Sequence, residues 1–136
     1  MNKQSNNSTQ DTLNQYFLYV SENNIDGIIS LLADDIDWYI AKSEQLSWTG
    51  RLDNKSEIAK ALQMIFDAHV EQTARFDVDH IFIDGGEAAV FGMISRQVKA
   101  TGKTFTASVC QRFTITEGKI TRLLMLEDAS EILKAF

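Results

Sequence analysis

The sequence has no proline, a single cysteine (Cys110), two histidines (His69 and His80) and few basic residues. No apolar run approaches the roughly 18 residues that a membrane span needs, so a membrane is not an expected partner. One cysteine makes no internal disulfide, and with two distant histidines it makes a poor zinc set; no metal and no cofactor are expected. There are 13 Lys+Arg against 19 Asp+Glu, giving a net charge of −6, which argues against a phosphate-binding surface and against nucleic acid as a partner. The stretch from Met1 to Asp11 has no apolar h-region, so it does not read as a signal peptide and a cytoplasmic location is expected. What is present is ordinary globular material: 136 residues, 44% hydrophobic and 24% charged, the length of one domain with a real core.

The hydrophobic pattern changes period along the chain. Residues 1–8 are polar and aperiodic and read as a flexible tail, leaving 9–136 as a single domain. Leu13, Tyr16, Phe17 and Val20 then fall on one helix face, and Ile25, Ile28, Ile29 and Leu32 repeat that spacing in a second helix with Asp26 as its expected cap. Residues 36–40 read as a short strand and 41–53 as a loop. Asn54 and Glu57 have capping-box spacing and open a third helix, whose stripe is Ile58, Leu62, Ile65, Phe66 and His69. From residue 76 the period becomes two: 76–83, 87–99, 103–116 and 119–127 read as strands joined by glycine-containing hairpin turns. Asp128 and Glu131 are spaced as the capping box of a last short helix.

Helices followed by an antiparallel meander make an α+β fold, not a dinucleotide-binding alternation. In residues 88–94 both strand phases are apolar, with Ala88, Val90 and Ile94 on one side and Ala89, Phe91 and Met93 on the other. A sheet with one solvated face alternates more cleanly, so this sheet is expected to be covered twice, by helices and by a second subunit.

Four features coincide in order and spacing: the Tyr16-Phe17 helix, the segment IDGIISLLADDIDW (Ile25 to Trp38), the Trp48-Thr49-Gly50 loop before a capped helix, and the ending that runs from Phe113 to Phe136. Together they resemble the SnoaL-like proteins of the nuclear transport factor 2-like superfamily, over about residues 10–136. The resemblance implies a cone: three N-terminal helices packed on a curved antiparallel sheet, a short C-terminal helix, an apolar cavity inside and a homodimer through the sheet outside. Ketosteroid isomerase, a relative there, uses an Asp base with a tyrosine and a protonated Asp as oxyanion donors. Tyr16 falls at the tyrosine, but the base position falls at Ile40 and the second acid at Cys110, so steroid isomerisation by that mechanism is not expected. An epoxide-hydrolase pattern falls at Ser108, Cys110 and Met125, all substituted, and the histidines of a scytalone dehydratase are not matched.

The candidate catalytic residues are therefore Tyr16, Glu127 and His69, and the candidate ligand-binding residues are Trp38, Ile40, Trp48, Cys110, Arg112 and Met125. Each has a plainer reading: Tyr16 as a core aromatic, His69 as a packed histidine, Cys110 as a small buried thiol. The resemblance turns Ser108, Cys110 and Arg112 inward and Phe105, Val109 and Phe113 to the dimer interface. Glu127 shares a phase with Leu123 and Met125 and is the expected cavity carboxylate; pairing about the Glu117-Gly118 turn puts it opposite Ser108. The expected function is a pocket for a small apolar molecule, either an isomerase-, hydratase- or cyclase-type enzyme using acid–base chemistry or a non-catalytic binding or dimeric interaction module.

Overall fold

The computed structural model describes residues 5–136. Helix α1 (Asn6–Ser21) begins earlier than the sequence pattern indicates, because Ser5 accepts a hydrogen bond from the Ser8 N–H. Its first turn is also tied to a distant hairpin: Thr9 Oγ1 donates to the Gly85 carbonyl at 2.6 Å, and Asn6 Oδ1 accepts from the Gly85 N–H at 2.8 Å. The expected tail is thus helix from Asn6 onward, and residues 1–4 of that expectation lie outside the described residues. Helix α2 (Ile25–Ser30) is capped by Asn24, which accepts from the Gly27 N–H, with Asp26 in the first turn and not at the cap.

Strand β1 (Leu32–Ile40) is longer than the pattern indicates, and the expected loop contains a short strand, β2 (Gly50–Leu52). Helix α3 (Lys55–Ala68) starts where the Asn54 side chain accepts from the Glu57 N–H, as the spacing predicts. Strands β3 (Arg75–Asp84), β4 (Glu87–Gln97), β5 (Thr104–Thr116) and β6 (Lys119–Glu127) follow as a meander, and α4 (Ala129–Leu133) closes the chain. Asp128 precedes α4 but caps no helix N–H; its carboxylate accepts the Ser130 hydroxyl, so the expected capping box does not form.

The six strands form one sheet in the order β2-β1-β6-β5-β4-β3. All neighbours are antiparallel except β1 and β6, which are parallel, so the sheet is mixed and not purely antiparallel. The core lies between the inner face of this sheet and the helices, with Leu13, Ile28, Ile58, Trp38, Phe113 and Leu123 at its centre. A smaller cluster, built on Leu46, Val98, Phe105 and Ile132, sits beneath α4.

Two single-residue bulges bend the sheet. On β3, Val78 pairs with Gly92 but His80 pairs with Phe91, which leaves Asp79 extra. On β6, Ile120 pairs with Ile115 but Arg122 pairs with Thr114, which leaves Thr121 extra, its hydroxyl donating to the Thr114 carbonyl. The second bulge corrects the expected faces. Pairing about the turn holds only as far as Ile115–Ile120; beyond Thr121 the register moves by one, and Glu127 lies opposite Val109 instead of Ser108. Phe105, Val109 and Phe113 are accordingly buried against the helices, not at an outer interface, while Ser108 and Arg112 are exposed on the outer face and Cys110 is half-buried there.

At the first bulge the backbones of β3 and β4 approach so closely that a Cβ on Gly92 would stand 2.4 Å from the Asp77 carbonyl oxygen. Only glycine fits there without moving backbone. Gly92→Ala is expected to destabilise the fold by about 2 kcal/mol or more, read as a lowered midpoint in chemical denaturation.

Candidate functional site

The curved sheet and the helices enclose a cavity of about 310 Å³, at the small end of ligand-site volumes. Its walls are mostly apolar. Phe17 and Val20 come from α1, Leu62 and Phe66 from α3, Trp38 and Ile40 from β1, and Leu123 and Met125 from β6. Exposed lining residues, Ser21 of α1 with Ala74, Arg75 and Val78 around the start of β3, mark the side that reaches solvent. Trp48 and Ile132, from the smaller cluster beneath α4, also line the cavity.

Besides Ser21 and Arg75 at the solvent side and the Trp48 indole, six polar side chains break this apolar surface: Tyr16, Trp38, His69, Arg96, Gln111 and Glu127. Arg96 is the least expected. It follows Ala88, Val90 and Ile94 on the inner phase of β4 and is only 8% exposed. Its guanidinium sits over the Phe66 ring, 5.8 Å from the centroid, and no carboxylate is within ion-pair distance of it among the described residues. Burial pushes its pKa down, and the charges of Glu127 and Tyr16 oppose that shift. Glu127, at the end of β6, has its pKa pushed up to about 7 by burial, with Arg96 partly offsetting the effect. Burial likewise raises the Tyr16 phenol, which therefore stays a neutral donor.

His69 follows the last residue of α3, and its tautomer is set by the backbone. Nδ1 lies 2.6 Å from the Ile65 carbonyl oxygen, which only accepts, so Nδ1 carries the hydrogen and Nε2 a lone pair. The ring packs edge-on against Trp48, Phe105 and Phe136, and burial lowers its pKa, which keeps it neutral. Among the described residues neither His69 Nε2 nor Trp38 Nε1 has a hydrogen-bond partner. Among the described residues no three His, Cys, Asp or Glu side chains converge as a metal site would require.

Of the residues singled out by sequence, Tyr16, Trp38, Ile40, Trp48, His69, Met125 and Glu127 meet in this cavity. Cys110 and Arg112 do not. The bulge at Thr121 aligns Glu127 with the odd-numbered, inward residues of β5, and the even-numbered residues lie on the outer face, where Arg112 pairs with Glu87 at 3.0 Å. The cation and amide of the cavity are instead Arg96 and Gln111, which sequence reasoning missed. Both were detectable as polar residues in phase with apolar neighbours, Arg96 after Ile94 and Gln111 between Val109 and Phe113.

Glu127 also makes a prediction about stability. Its folded pKa of about 7 exceeds the ordinary 4.5, so between those values the folded chain holds a proton that the unfolded chain has released. Stability due to this group falls as pH rises through that window and is level above it, by at most about 3 kcal/mol. His69, with a lowered pKa, acts in the opposite direction, so the comparison must be with a variant. Relative to wild type, Glu127→Gln is expected to gain thermal stability from pH 5 to about pH 7 and to hold a constant difference above that, measured by calorimetric melting.

Solved structures with this architecture carry several different activities in their names. A putative isomerase from Rhodopseudomonas palustris superposes with a TM-score of 0.82 at 16% identity, covering 91% of this chain and 94% of that one. An LEH-like epoxide hydrolase from M. tuberculosis gives 0.71 at 14% identity, covering 96% and 90%. A putative SnoaL-like polyketide cyclase from Shewanella denitrificans OS-217 gives 0.77 at 14% identity, covering 93% and 95%. No curated protein matches the sequence. These identities establish a shared fold and no shared chemistry. The SnoaL-like domain family matches residues 13–123, which is most of the chain and nearly all of the cavity wall, and the protein belongs to that family.

Proposed function

We propose that this chain is an enzyme that moves a proton on a small, largely apolar carbonyl compound. The observation that carries this reading is that Glu127 and Arg96 share one apolar cavity without forming an ion pair. A carboxylate with a pKa near 7 is matched to accepting and returning a proton at neutral pH. In the step proposed, a C–H bond next to the carbonyl breaks and its proton goes to a Glu127 carboxylate oxygen. The electron pair moves onto the carbonyl oxygen, and the resulting enolate is held by the Arg96 guanidinium and the Tyr16 hydroxyl. Return of the proton to a different carbon is an isomerisation. His69, neutral with a free Nε2, and the Trp38 N–H would hold the polar parts of the substrate away from the reacting carbon, between the walls formed by Trp48, Ile40 and Met125.

The test needs no knowledge of the natural substrate. Wild-type protein in D₂O is expected to catalyse deuterium exchange at the α-carbons of 2-tetralone, a flat aromatic ketone, followed by NMR. The rate should rise with pD through a group near 7. Glu127→Gln should lower it about 10²-fold or more and Tyr16→Phe about tenfold. Binding of the ketone with no exchange would instead mark the cavity as a binding module.

We also infer that the molecule pairs through the outer face of its sheet. There His80, Phe91, Cys110 and Leu126 lie in register across β3 to β6, with Met93 and Phe82 beside them. Phe82 is 57% exposed and Leu126 49%, an apolar patch that a second copy would cover. Sedimentation should give a dimer at micromolar concentration and a monomer for Phe91→Glu.

A further inference from the structure

A guanidinium held inside an apolar cavity, without a counter-ion in contact, constrains what can join it there. Arg96 remains charged, since a guanidinium does not give up its proton in a protein. It reaches the cavity from β4, and the other titratable groups facing that space are Tyr16 from α1, His69 from the end of α3 and Glu127 from β6. Arg75, at the solvent side, is engaged by Asp77 at 2.9 Å. Gln111 and Trp38 contribute neutral hydrogen-bonding groups only. With Glu127 ionised, the cavity holds one positive and one negative charge.

We propose that the cavity binds small, flat organic monoanions (carboxylates, phenolates or enolates) through Arg96, and that each anion enters together with one proton that settles on Glu127. The inference rests on the same cavity as the proposed function but not on turnover. A bound anion opposite Arg96 would leave two negative charges facing one positive charge in an apolar enclosure, and like charges there raise the proton affinity of the weaker acid. Protonating Glu127 restores neutrality. The other groups are poorly placed to do so. Tyr16 already carries its proton, and a proton on His69 would add a second cation in an aromatic enclosure near Arg96. The proton balance is simple: solvent supplies one H⁺, the carboxylate of Glu127 becomes a carboxylic acid, and no other bond changes. This is the same charge distribution that proton abstraction from a neutral ketone would create. Stable anions should therefore bind as mimics of that intermediate.

The probe is 2-naphthoate, with the neutral 2-naphthamide as its control, both titrated calorimetrically into the full-length protein. At pH 8, titrations in buffers of different ionisation enthalpy should show uptake of nearly one proton per naphthoate. At pH 5.5, where Glu127 already holds its proton, uptake should be close to zero. The affinity should fall by about tenfold per pH unit above pH 8 and be level below pH 6. Glu127→Gln should bind naphthoate without proton uptake and without this pH dependence. Arg96→Gln should lose naphthoate affinity at least about 30-fold while keeping that for naphthamide, and Arg96→Lys, which retains the charge, provides a second variant if the first does not fold. Naphthoate binding no tighter than naphthamide, binding at pH 8 without proton uptake, or uptake that persists in Glu127→Gln would each overturn the proposal. Because naphthoate has no exchangeable α-proton, these outcomes are independent of the 2-tetralone exchange. Exchange without naphthoate binding would leave the enzyme reading standing and remove this one.

Discussion

The sheet has to curl around three short helices, and everything inside the cavity depends on how it does so. A regular antiparallel sheet twists but does not close over a cluster of this size. Here the bend is made where β3 and β4 come into near contact at Gly92 and where single extra residues, Asp79 and Thr121, break the ladders. Each extra residue does two things at once. It bends the strand, and it exchanges the faces to which all later side chains point. The exchange at Thr121 brings Leu123, Met125 and Glu127 into line with Phe113, Gln111 and Val109. Without it, Glu127 would share the outer face with Arg112.

The electrostatics of the cavity follow from that geometry. An arginine on the inner phase of β4 is surrounded by Phe66, Ile94 and Phe105, where water cannot solvate it as it would at the surface. Glu127 is the nearest thing to a counter-charge, and the two interact across the cavity without touching. Neither group is stabilised as it would be in a close ion pair, and each is left able to meet a ligand. Among the described residues the buried Trp38 and His69 nitrogens are unpaired as well, so the cavity wall carries several polar groups at a cost in stability.

The outer face carries different chemistry. Arg112, expected in the cavity, holds Glu87 with the help of the Thr114 hydroxyl, which donates to the same carboxylate oxygen. This exposed pair leaves the adjoining row of Phe91, Cys110 and Leu126 as the apolar part of the surface. Two-sided apolar patterning in β4 is thus real, although the inner side meets helices and the outer side, in the single chain, meets solvent.

The sequence by itself determined the helices and the four-strand meander, the α+β class, the family and part of the cavity wall. Helix stripes such as Leu13-Tyr16-Phe17-Val20 bury one face wherever the helix lies, so Tyr16 and His69 were legible from spacing alone. The Asn54 cap was legible for the same reason: its hydrogen bond is local. The start of α1 was not: its Ser5 cap is local too, but it lies in a polar stretch without apolar periodicity, and its first turn is held by Gly85, far away in the chain. Nor was β1 beside β6, since parallel pairing carries no turn to announce it. Only the tertiary structure decided which face of β5 looks inward. Alternation is symmetric between its two phases, and the single extra residue at Thr121 is what lets Glu127 share the inner face with Gln111 while Arg112 stays outside and Arg96 supplies the buried cation.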